Sequence, residues 1–532
     1  MAYFSLHAYD ADVWVRAFRG LNQSDIGMNP DVDYAAEAEN VETPDGVLQP
    51  GAAIVTLPGE FDHSIETLAS FYRRWYAGSG SKEWMIAAVN GQLYYRQADS
   101  DTSWTSIDLP TGISAFDNNT WSTATYEITE NNETIDVLLI SNADDGMFMI
   151  VPPDRPANWG DKAEHDWTWV KGYTWDQVKS ARWAMRTVNT QGKYFGTIAR
   201  YAERIWGGDI AGNPDMLMYS APYDPTDWQA NVSIQEDGAG DVEQPTWDGT
   251  KFTALLQFGD QLIAFKETKV WRIMGTNPGE YEFREQYGGG APYKGTIASD
   301  DERIFMVDNY GLSYYDGMTV TPYRRELTEE IWRNVNMKAL DQMAAVVFRQ
   351  KYYLAFPTGN STVNNAMLVY NFHDGTVLYY TDIYIESLLK TNEKLYATSS
   401  SLPGVLLEVK YDSWVTGSAR GAAARWVSPW IDFGYKRIQK GGFDLYFVPE
   451  VQDEPVELKF SIQTEKKLKT KTYTVQPLTE EQKTKPKEHR GKRLHFGGMG
   501  RKFRIMVETD EGVTAPWRLI GGLQMVVETD PD

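Results

Sequence analysis

The chain repeats one short pattern: an apolar strand, a tight turn, and a second strand that ends in aromatic residues. The clearest copies are KEWMIAAVNGQLYYR (82–96), FGDQLIAFKETKVWRI (258–273), DERIFMVDNYGLSYYDG (301–317) and FRQKYYLAFP (348–357). Turns such as Asn90-Gly91 between strands of this kind are typical of antiparallel β-hairpins. Because hairpin follows hairpin without the helices of βαβ units, the pattern predicts an all-β fold built from propeller blades or barrel staves.

Hairpin units continue from about residue 51 to residue 415. They fall at 82–109, 119–153, 192–231, 252–286, 294–323, 340–381 and 384–412. At roughly 45–50 residues per four-stranded blade, this length predicts a β-propeller of six to eight blades over residues 51–415. The segment 327–340 (LTEEIWRNVNMKAL) has acids early and a lysine late, so it is predicted to be a helix inserted between blades.

The two ends of the chain differ from the middle. Residues 1–50 are rich in turn formers and predict an extended N-terminal arm, in which only 33–41 (DYAAEAENV) could hold a short helix. Such an arm becomes ordered by packing against its own body or against a neighbour. Residues 416–425 (TGSARGAAAR) are interpreted as a linker. Residues 426–532 contain seven or eight short alternating strands, which predict a β-sandwich of the jelly-roll type.

The formal charge of −23 is unevenly distributed along the chain. Between Lys466 and Arg504 there are 13 lysines and arginines but only three acids, so the remainder of the chain is more acidic than the total suggests. The candidate contact residues of this basic tract are Lys466, Lys467, Lys469, Lys471, Lys483, Lys485, Lys487, Arg490, Lys492 and Arg493. Two interpretations stay open: a solvated loop, or a surface that contacts either DNA backbone or an acidic protein.

Residue types that carry catalysis are scarce or wrongly spaced. The chain has no cysteine, its six histidines show no metal-ligand spacing, and it lacks a P-loop, a G-x-S-x-G elbow and a GxGxxG that opens a helix. We therefore expect no enzymatic activity, no catalytic residues, and no cofactor or metal. The enzyme alternative is a propeller glycosidase with paired acids, for which Asp136, Asp209 and Asp260 are the strand-context candidates.

One motif, DMLMYSAPYDPTDW (215–228), combines a strand, a break and a turn in a distinctive way. Asp224-Pro225 can initiate a turn, and Trp228 can cover the backbone of that turn. The motif predicts a structural corner of a blade without a bound ligand.

This motif resembles a segment of propeller proteins from tailed-bacteriophage tails, in which a strand ending in Tyr-Ser precedes an Asp-Pro turn and a tryptophan. Three other segments resemble the same family in the same order. They are GLN with DYAAEAENVETPDGVLQPGAA (within 20–53), FGDQLIAFKETKVWRIMGTNPGEYEF (258–283), and WVSPWIDFG (426–434) as the first strand of the C-terminal sandwich. The order of all four segments makes the chain similar to the tail nozzle, hub or DNA-stabilisation proteins of short-tailed phages.

The resemblance implies a structural virion protein located in the phage tail and synthesised in the cytoplasm of the bacterial host. Members of the family assemble as homo-oligomeric rings, commonly hexamers, below the portal and adaptor proteins. The ring forms or closes the DNA exit channel, genomic DNA passes through its lumen without sequence specificity, and tail fibres or spikes dock on it. Asp10 and Asp12 interrupt the apolar run that a secretory signal needs, so we expect no such signal. The chain has no run of 18 apolar residues, so we expect no insertion into a membrane. A glycan-binding or glycan-hydrolysing propeller and a baseplate component remain the alternatives.

Overall fold

The fold is known from a computed structural model. It describes residues 9–24, 31–58, 61–74, 82–100, 102–130, 133–151, 183–230, 238–243, 250–300, 302–432, 440–479 and 491–529. These residues form 39 strands and two short α-helices, α1 (Glu329–Arg333) and α2 (Ser413–Thr416). The fold is therefore all-β, as the repeated hairpins predict. Within the described ranges, no helix is long and apolar enough to cross a membrane.

Seven antiparallel units of four strands follow one another along the described chain, six as separate sheets and one as part of a nine-stranded sheet, and each unit is one blade of a β-propeller. Blade 1 consists of β6 (Thr67–Arg73), β7 (Lys82–Val89), β8 (Gln92–Gln97) and β9 (Thr105–Ser106). Blade 2 consists of β10 (Ser122–Glu130), β11 (Glu133–Asn142), β12 (Gly146–Val151) and β13 (Ala184–Val188). Blade 3 consists of β14 (Phe195–Tyr201), β15 (Arg204–Ile210), β16 (Met216–Tyr219) and β17 (Gly240–Glu243).

Blades 4 to 7 complete the circle. Blade 4 consists of β18 (Phe252–Phe258), β19 (Gln261–Lys266), β20 (Val270–Met274) and β21 (Glu282–Gln286), and blade 5 of β22 (Ala298–Ser299), β23 (Ile304–Asp308), β24 (Gly311–Tyr315) and β25 (Val320–Pro322). Blade 6 consists of β26 (Ala344–Phe348), β27 (Lys351–Phe356), β28 (Ala366–Asn371) and β29 (Val377–Thr381). Blade 7 consists of β30 (Ser387–Lys390), β31 (Leu395–Ser399), β32 (Leu402–Val409) and β5 (Ile54–Thr56). Blade 7 thus takes its outermost strand from the N-terminal part of the chain, which closes the propeller.

The first strand of each blade lies innermost, and the first strands of six of the seven neighbouring blade pairs contact each other. A hydroxyl group on three of these strands accepts a hydrogen bond from a backbone N–H of the next blade. The pairs, each 3.0 Å long, are Thr67 with Trp121, Ser122 with Ile198, and Thr197 with Leu255. The first strands run in the same direction, because each blade has four antiparallel strands and its last strand ends at the face where the next blade begins. We call the face at which they begin the top face.

The C-terminal domain is a sandwich of two four-stranded sheets. One sheet has the order β1 (Tyr9–Val15), β39 (Trp517–Thr529), β34 (Lys440–Val451), β37 (Lys492–Gly500); the other has the order β33 (Arg425–Val427), β38 (Phe503–Glu508), β35 (Val456–Thr464), β36 (Leu468–Val475). This is the strand order of a jelly roll, whose first strand is β1 from the N-terminal arm. The propeller is therefore inserted between the first and second strands of the jelly roll.

The N-terminal arm also joins the two domains. Strand β2 (Glu37–Glu39) lies between β29 of blade 6 and β33 of the sandwich, which makes one continuous nine-stranded sheet. Strands β3 (Val41–Glu42) and β4 (Gln49–Pro50) form a small hairpin beside it. The prediction of a short helix at 33–41 is wrong because this segment has strand partners on both sides, and Ala38 is buried between them.

The proposed linker, residues 416–425, is fixed to the junction between the domains. The Arg420 guanidinium donates to Asn40 Oδ1 at 2.7 Å and to the carbonyl oxygens of Thr381 and Asp382, both at 2.5 Å. Asn40 adopts a left-handed backbone conformation (φ 56°), and its side-chain amide donates to the Ala423 carbonyl at 2.9 Å. Arg420 thus ties the arm to the end of blade 6, and Asn40 ties the arm to the linker just before the sandwich.

The helix predicted over residues 327–340 is much shorter in the structure. Only Glu329–Arg333 is α-helical, between 3₁₀ turns at Arg325–Thr328 and Leu340–Gln342. Val335 instead forms a β-bridge with Thr358, and the Asn336 N–H donates to the Pro357 carbonyl at 3.0 Å. These contacts with the blade 6 hairpin compete with the helical hydrogen bonds and end the helix.

Candidate interaction surfaces

Part of the basic tract forms an exposed edge of the sandwich. Lys466 and Lys467 occupy the turn between β35 and β36, and Lys469 and Lys471 lie on β36, all four exposed. We call these four lysines the basic edge. Strand β36 ends the nine-stranded sheet, five strands beyond β29, so the edge lies roughly 24 Å from the propeller at ~4.8 Å per strand. The positive charge is thereby held away from the acidic body.

A groove of about 610 Å³ opens beside the basic edge. It lies between the β35–β36 turn and the β37–β38 turn and is lined by Glu465, Lys466, Lys467, Lys469, Gly498, Met499, Gly500 and Arg501. The Arg501 backbone N–H donates to Glu465 Oε2 at 3.1 Å, which fixes the two turns relative to each other. Four cations against one acid, with an exposed methionine among them, suit a partner that is negatively charged and partly apolar.

The remaining residues of the basic tract behave differently. Lys492 and Arg493 lie on β37, where Arg493 contacts Asp444 Oδ2 at 2.5 Å and His495 Nδ1 lies 3.0 Å from Asp444 Oδ1. The hydrogen bond from Arg493 lowers the pKa of Asp444. The positive charge of Arg493 is therefore compensated by the Asp444 carboxylate on the neighbouring strand. Lys483, Lys485, Lys487 and Arg490 lie outside the described residues.

The Asp-Pro-Trp motif closes a corner of blade 3. Asp224 Oδ1 accepts hydrogen bonds from the backbone N–H and the hydroxyl of Thr226, at 3.0 and 2.7 Å. Trp228 is buried, its indole N–H donates to the Pro225 carbonyl at 3.0 Å, and its ring lies 4.8 Å from that of Phe195. Each polar atom named here bonds within the turn, which gives the motif a structural role in the blade.

The outermost strands of the blades differ in charge, a feature that sequence reasoning missed. Strand β17 of blade 3 carries Asp241 and Glu243, and β21 of blade 4 carries Glu282 and Glu285, all four exposed. The described outermost strands of the other blades, β9, β13, β25, β29 and β5, contain no acid. We call Asp241, Glu243, Glu282 and Glu285 the acidic rim. Glu282 contacts Arg284 of the same strand at 2.5 Å, and Glu285 lies 3.2 Å from Lys269 Nζ of blade 4, so most of the rim's net negative charge comes from Asp241 and Glu243 of blade 3. The sequence signal of the rim was the pair of acids within each of the short segments GDVE (240–243) and EFREQ (282–286).

The three acids considered for a glycosidase pair lie apart. Asp209 lies on the top face, where it accepts a hydrogen bond from Lys251 Nζ at 3.0 Å. Asp136 is buried in blade 2, accepts from the Arg74 backbone N–H at 2.7 Å, and has its pKa raised by burial. Asp260 occupies the β18–β19 turn at the opposite face. They form no pair, and no group of three or more His, Asp or Glu residues in the described ranges could hold a metal.

Apart from Tyr72 in blade 1 and Tyr223 in blade 3, the exposed aromatic residues of the described ranges form two groups. Tyr194, Tyr287, Tyr310 and Tyr384 all lie on the top face of the propeller, next to the starts of first strands or in the hairpins at that end. On the sandwich, Trp14 and Tyr446 contribute to a mostly apolar groove of about 640 Å³, in which Gln524 lies between them in the strand register. Surfaces of this kind can stack against flat apolar groups of a partner or a sugar.

No protein-family model and no curated protein matches the chain. Among solved structures, the chain is similar to the computationally designed Ika8 protein, with 8% sequence identity, a TM-score of 0.35, and coverage of 68% of this chain and 100% of that one. It is also similar to the Neurospora crassa Pan2 WD40 domain, with 7% identity, a TM-score of 0.35, and coverage of 68% and 96%. At this TM-score neither likeness carries an argument, and the propeller is defined by its own strand pairing.

Proposed function

We propose that the chain is a structural protein of a tailed-bacteriophage tail, a nozzle or hub subunit that forms a closed ring below the portal and adaptor. The ring surrounds the DNA exit channel and carries tail fibres or spikes. The observation behind this proposal is the order of the four family-like segments along the sequence. In the fold, these segments form the junction strands β2 to β4, the corner of blade 3, blade 4, and β33 of the jelly roll.

The way the domains are joined supports a mechanical role. The nine-stranded sheet and the N-terminal arm connect propeller and sandwich through backbone hydrogen bonds, so the junction is built as regular secondary structure. A wall around moving DNA needs subunits that keep their shape, and this junction resists bending between the domains. The number of subunits, six, is an inference from the resemblance alone.

The distribution of charge supports a conduit for DNA without sequence preference. An acidic body repels phosphates and lets DNA slide, whereas a continuous basic lining would hold DNA with strong salt dependence. The basic edge is confined to one end of the sandwich. We therefore assign it to a protein contact within the tail in preference to a grip on DNA.

Native mass spectrometry of the purified chain, alone and mixed with portal–adaptor rings, tests the proposal. A discrete oligomer that joins the adaptor ring supports the nozzle or hub assignment. An oligomer that ignores adaptor rings indicates a baseplate location. A chain that stays monomeric in both samples contradicts the proposal.

A glycan-binding propeller is the second candidate because of the exposed aromatic residues described above. Tyr287 and Tyr310 are 85% and 79% exposed on the same face of the propeller. Glycan-array binding that is lost in Tyr287→Ala and Tyr310→Ala would favour this candidate. Release of free sugar from the bound glycan would indicate the hydrolytic version.

A further inference from the structure

The charged edges of the molecule are opposite in sign and lie on different sides of it. The basic edge projects from blade 6 through the sandwich, whereas the acidic rim belongs to blades 3 and 4. In a propeller of seven blades, blades 3 and 4 lie roughly 154° and 103° around the axis from blade 6. In a six-membered ring, the directions from one subunit to its two neighbours are roughly 120° apart. This angle lies between the angles that separate blade 6 from blade 4 and from blade 3.

Both surfaces are strand edges with free sides. Strand β36 ends its sheet, and β17 and β21 end theirs, since no strand in the described ranges pairs with their outer sides. Exposed edges of this kind invite pairing with another chain, and charges on them select which chain can pair. Like edges repel each other here, while unlike edges attract.

Each surface also offers an exposed apolar side chain beside its charges. Leu468 on β36 is 57% exposed and Met499 in the adjoining groove is 56% exposed. Tyr287, which directly follows β21, is 85% exposed. Contacts that combine an apolar centre with complementary charges around it are typical of specific protein interfaces.

From these observations we propose that the basic edge of one copy binds the acidic rim of a second copy, head to tail. The lysines of the basic edge face the acidic rim, with Asp241 and Glu243 as their main partners because Glu282 and Glu285 already contact Arg284 and Lys269, and Leu468 packs near Tyr287. This contact is heterologous, and repeating it closes a ring when the rotation between neighbouring copies is a whole fraction of a full turn. The inference rests on the ring assembly proposed above and names the surfaces that form it. It also makes the assembly sensitive to salt, because exposed charges are screened.

A disulfide experiment tests the contact directly, because the chain has no cysteine of its own. The Lys469→Cys and Glu243→Cys proteins are prepared separately, mixed at low salt, and oxidised. We expect a crosslinked dimer in the mixture and little in either protein alone. Thr56→Cys, on the exposed and neutral outermost strand of blade 7, is the matched control for Glu243→Cys, and we expect about tenfold less dimer with it.

Charge reversal provides the second measurement. Lys469→Glu with Lys471→Glu should weaken assembly at least about tenfold in sedimentation velocity. Adding Asp241→Lys and Glu243→Lys should restore it, because the charges then match again. Lys338→Glu with Lys390→Glu changes the net charge by the same amount at two exposed lysines elsewhere, and should leave assembly unchanged.

The outcomes separate this inference from the proposed function. One outcome would overturn the interface while the ring proposal stands. In it, the wild-type chain forms rings, but the Lys469→Cys and Glu243→Cys proteins form no disulfide with each other and charge reversal has no effect on assembly. Dimers in Lys469→Cys alone would show a symmetric contact and would also overturn the interface. If no oligomer and no crosslink form under any condition, both proposals fail.

Discussion

The propeller and the jelly roll are both completed by the same N-terminal stretch, but in different ways. The propeller takes the short strand β5 to finish a blade that is otherwise continuous in sequence, whereas the jelly roll takes its first strand, β1, from more than 400 residues away. Both added strands lie far from their partners in sequence, but the propeller gains a three-residue strand that completes one blade, whereas the jelly roll gains a seven-residue strand at the edge of one of its two sheets. The domains are therefore coupled, and stability of the sandwich depends on residues that precede the propeller.

The largest expected effect comes from the core where the arm meets the sandwich. Trp426 on β33 is fully buried, and its ring lies edge-on to that of Phe18 in the arm, with centroids 5.1 Å apart. Trp426→Ala should lower the free energy of unfolding by about 3–5 kcal/mol, because the cavity removes contacts of both segments. Urea denaturation measures this. Trp14→Ala, at a position of the arm that is 52% exposed, is the control, and a similar loss there would show that the effect does not come from the buried contact between Phe18 and Trp426.

A second prediction concerns closure of the propeller. Val55 on β5 is paired with Glu408 on β32. On either side of this pair, the Leu57 N–H donates to the Leu406 carbonyl and the Lys410 N–H donates to the Ala53 carbonyl. Because backbone N–H groups alternate in direction along a strand, the Val55 N–H points towards β32. Val55→Pro should lower the free energy of unfolding by about 1–3 kcal/mol, because it removes a ladder hydrogen bond. The N–H of Thr56 points to the unpaired side, so Thr56→Pro should cost clearly less. Equal losses in thermal unfolding would contradict the role of β5.

A third, smaller effect is expected at the hydroxyl contacts between the first strands. Thr197 is 1% exposed and its hydroxyl accepts the Leu255 N–H at 3.0 Å. Thr197→Val keeps the shape but leaves that N–H without its acceptor, so we expect a loss of about 1–2 kcal/mol. Thr474→Val, at an exposed position of β36, is the matched control in the same denaturation assay. If Thr197→Val and Thr474→Val lower the free energy of unfolding equally, the hydroxyl contacts do not contribute to the stability of the propeller.

The smallest effect is a pH dependence at the junction between the domains. Glu42 is buried and accepts hydrogen bonds from the Tyr380 hydroxyl at 2.8 Å and the Ala52 N–H at 3.3 Å. Burial raises its pKa above the usual 4.5, outweighing the opposing charge of Lys351. A carboxyl with a raised pKa in the folded state stabilises below its unfolded pKa and loses that contribution as pH rises through the folded value.

The free energy of unfolding should therefore contain a component that falls as pH rises from about 4.5 towards neutral. Glu42→Gln should flatten this component, since the amide oxygen still accepts hydrogen bonds and carries no proton that titrates. Melting temperatures measured across this pH range provide the test. Glu457→Gln, at an exposed position, should leave the pH profile as in the wild type.

Much of the fold could be predicted because its contacts are local. Hairpins such as Asn90-Gly91 show in the sequence, and the all-β class and a propeller within six to eight blades follow from them. Pairings between distant segments were missed: β1 with β39, β5 with β32, and β2 between two domains leave no local pattern. The helix at 327–340 was overextended, since its propensity is overridden by the bridge from Val335 to Thr358.

The candidate surfaces were predictable only in part. A run of lysines is visible in any sequence, but its position at the end of a nine-stranded sheet is not. The acids of β17 and β21 look like ordinary exposed positions of alternating strands, and only the comparison with the outermost strands of the other blades makes them distinctive. Similarly, Thr67, Ser122 and Thr197 occupy equivalent positions on first strands, a repeat that becomes apparent when the blades are aligned.

Electron cryomicroscopy of the purified chain at low salt tests the central claim, assembly into a ring through the basic edge, most directly. We predict closed rings with a lumen wide enough for duplex DNA, in which each β36 lies against blades 3 and 4 of the neighbouring copy. Particles that stay monomeric at high concentration, or rings whose neighbours meet through other surfaces while β36 faces solvent, would contradict it.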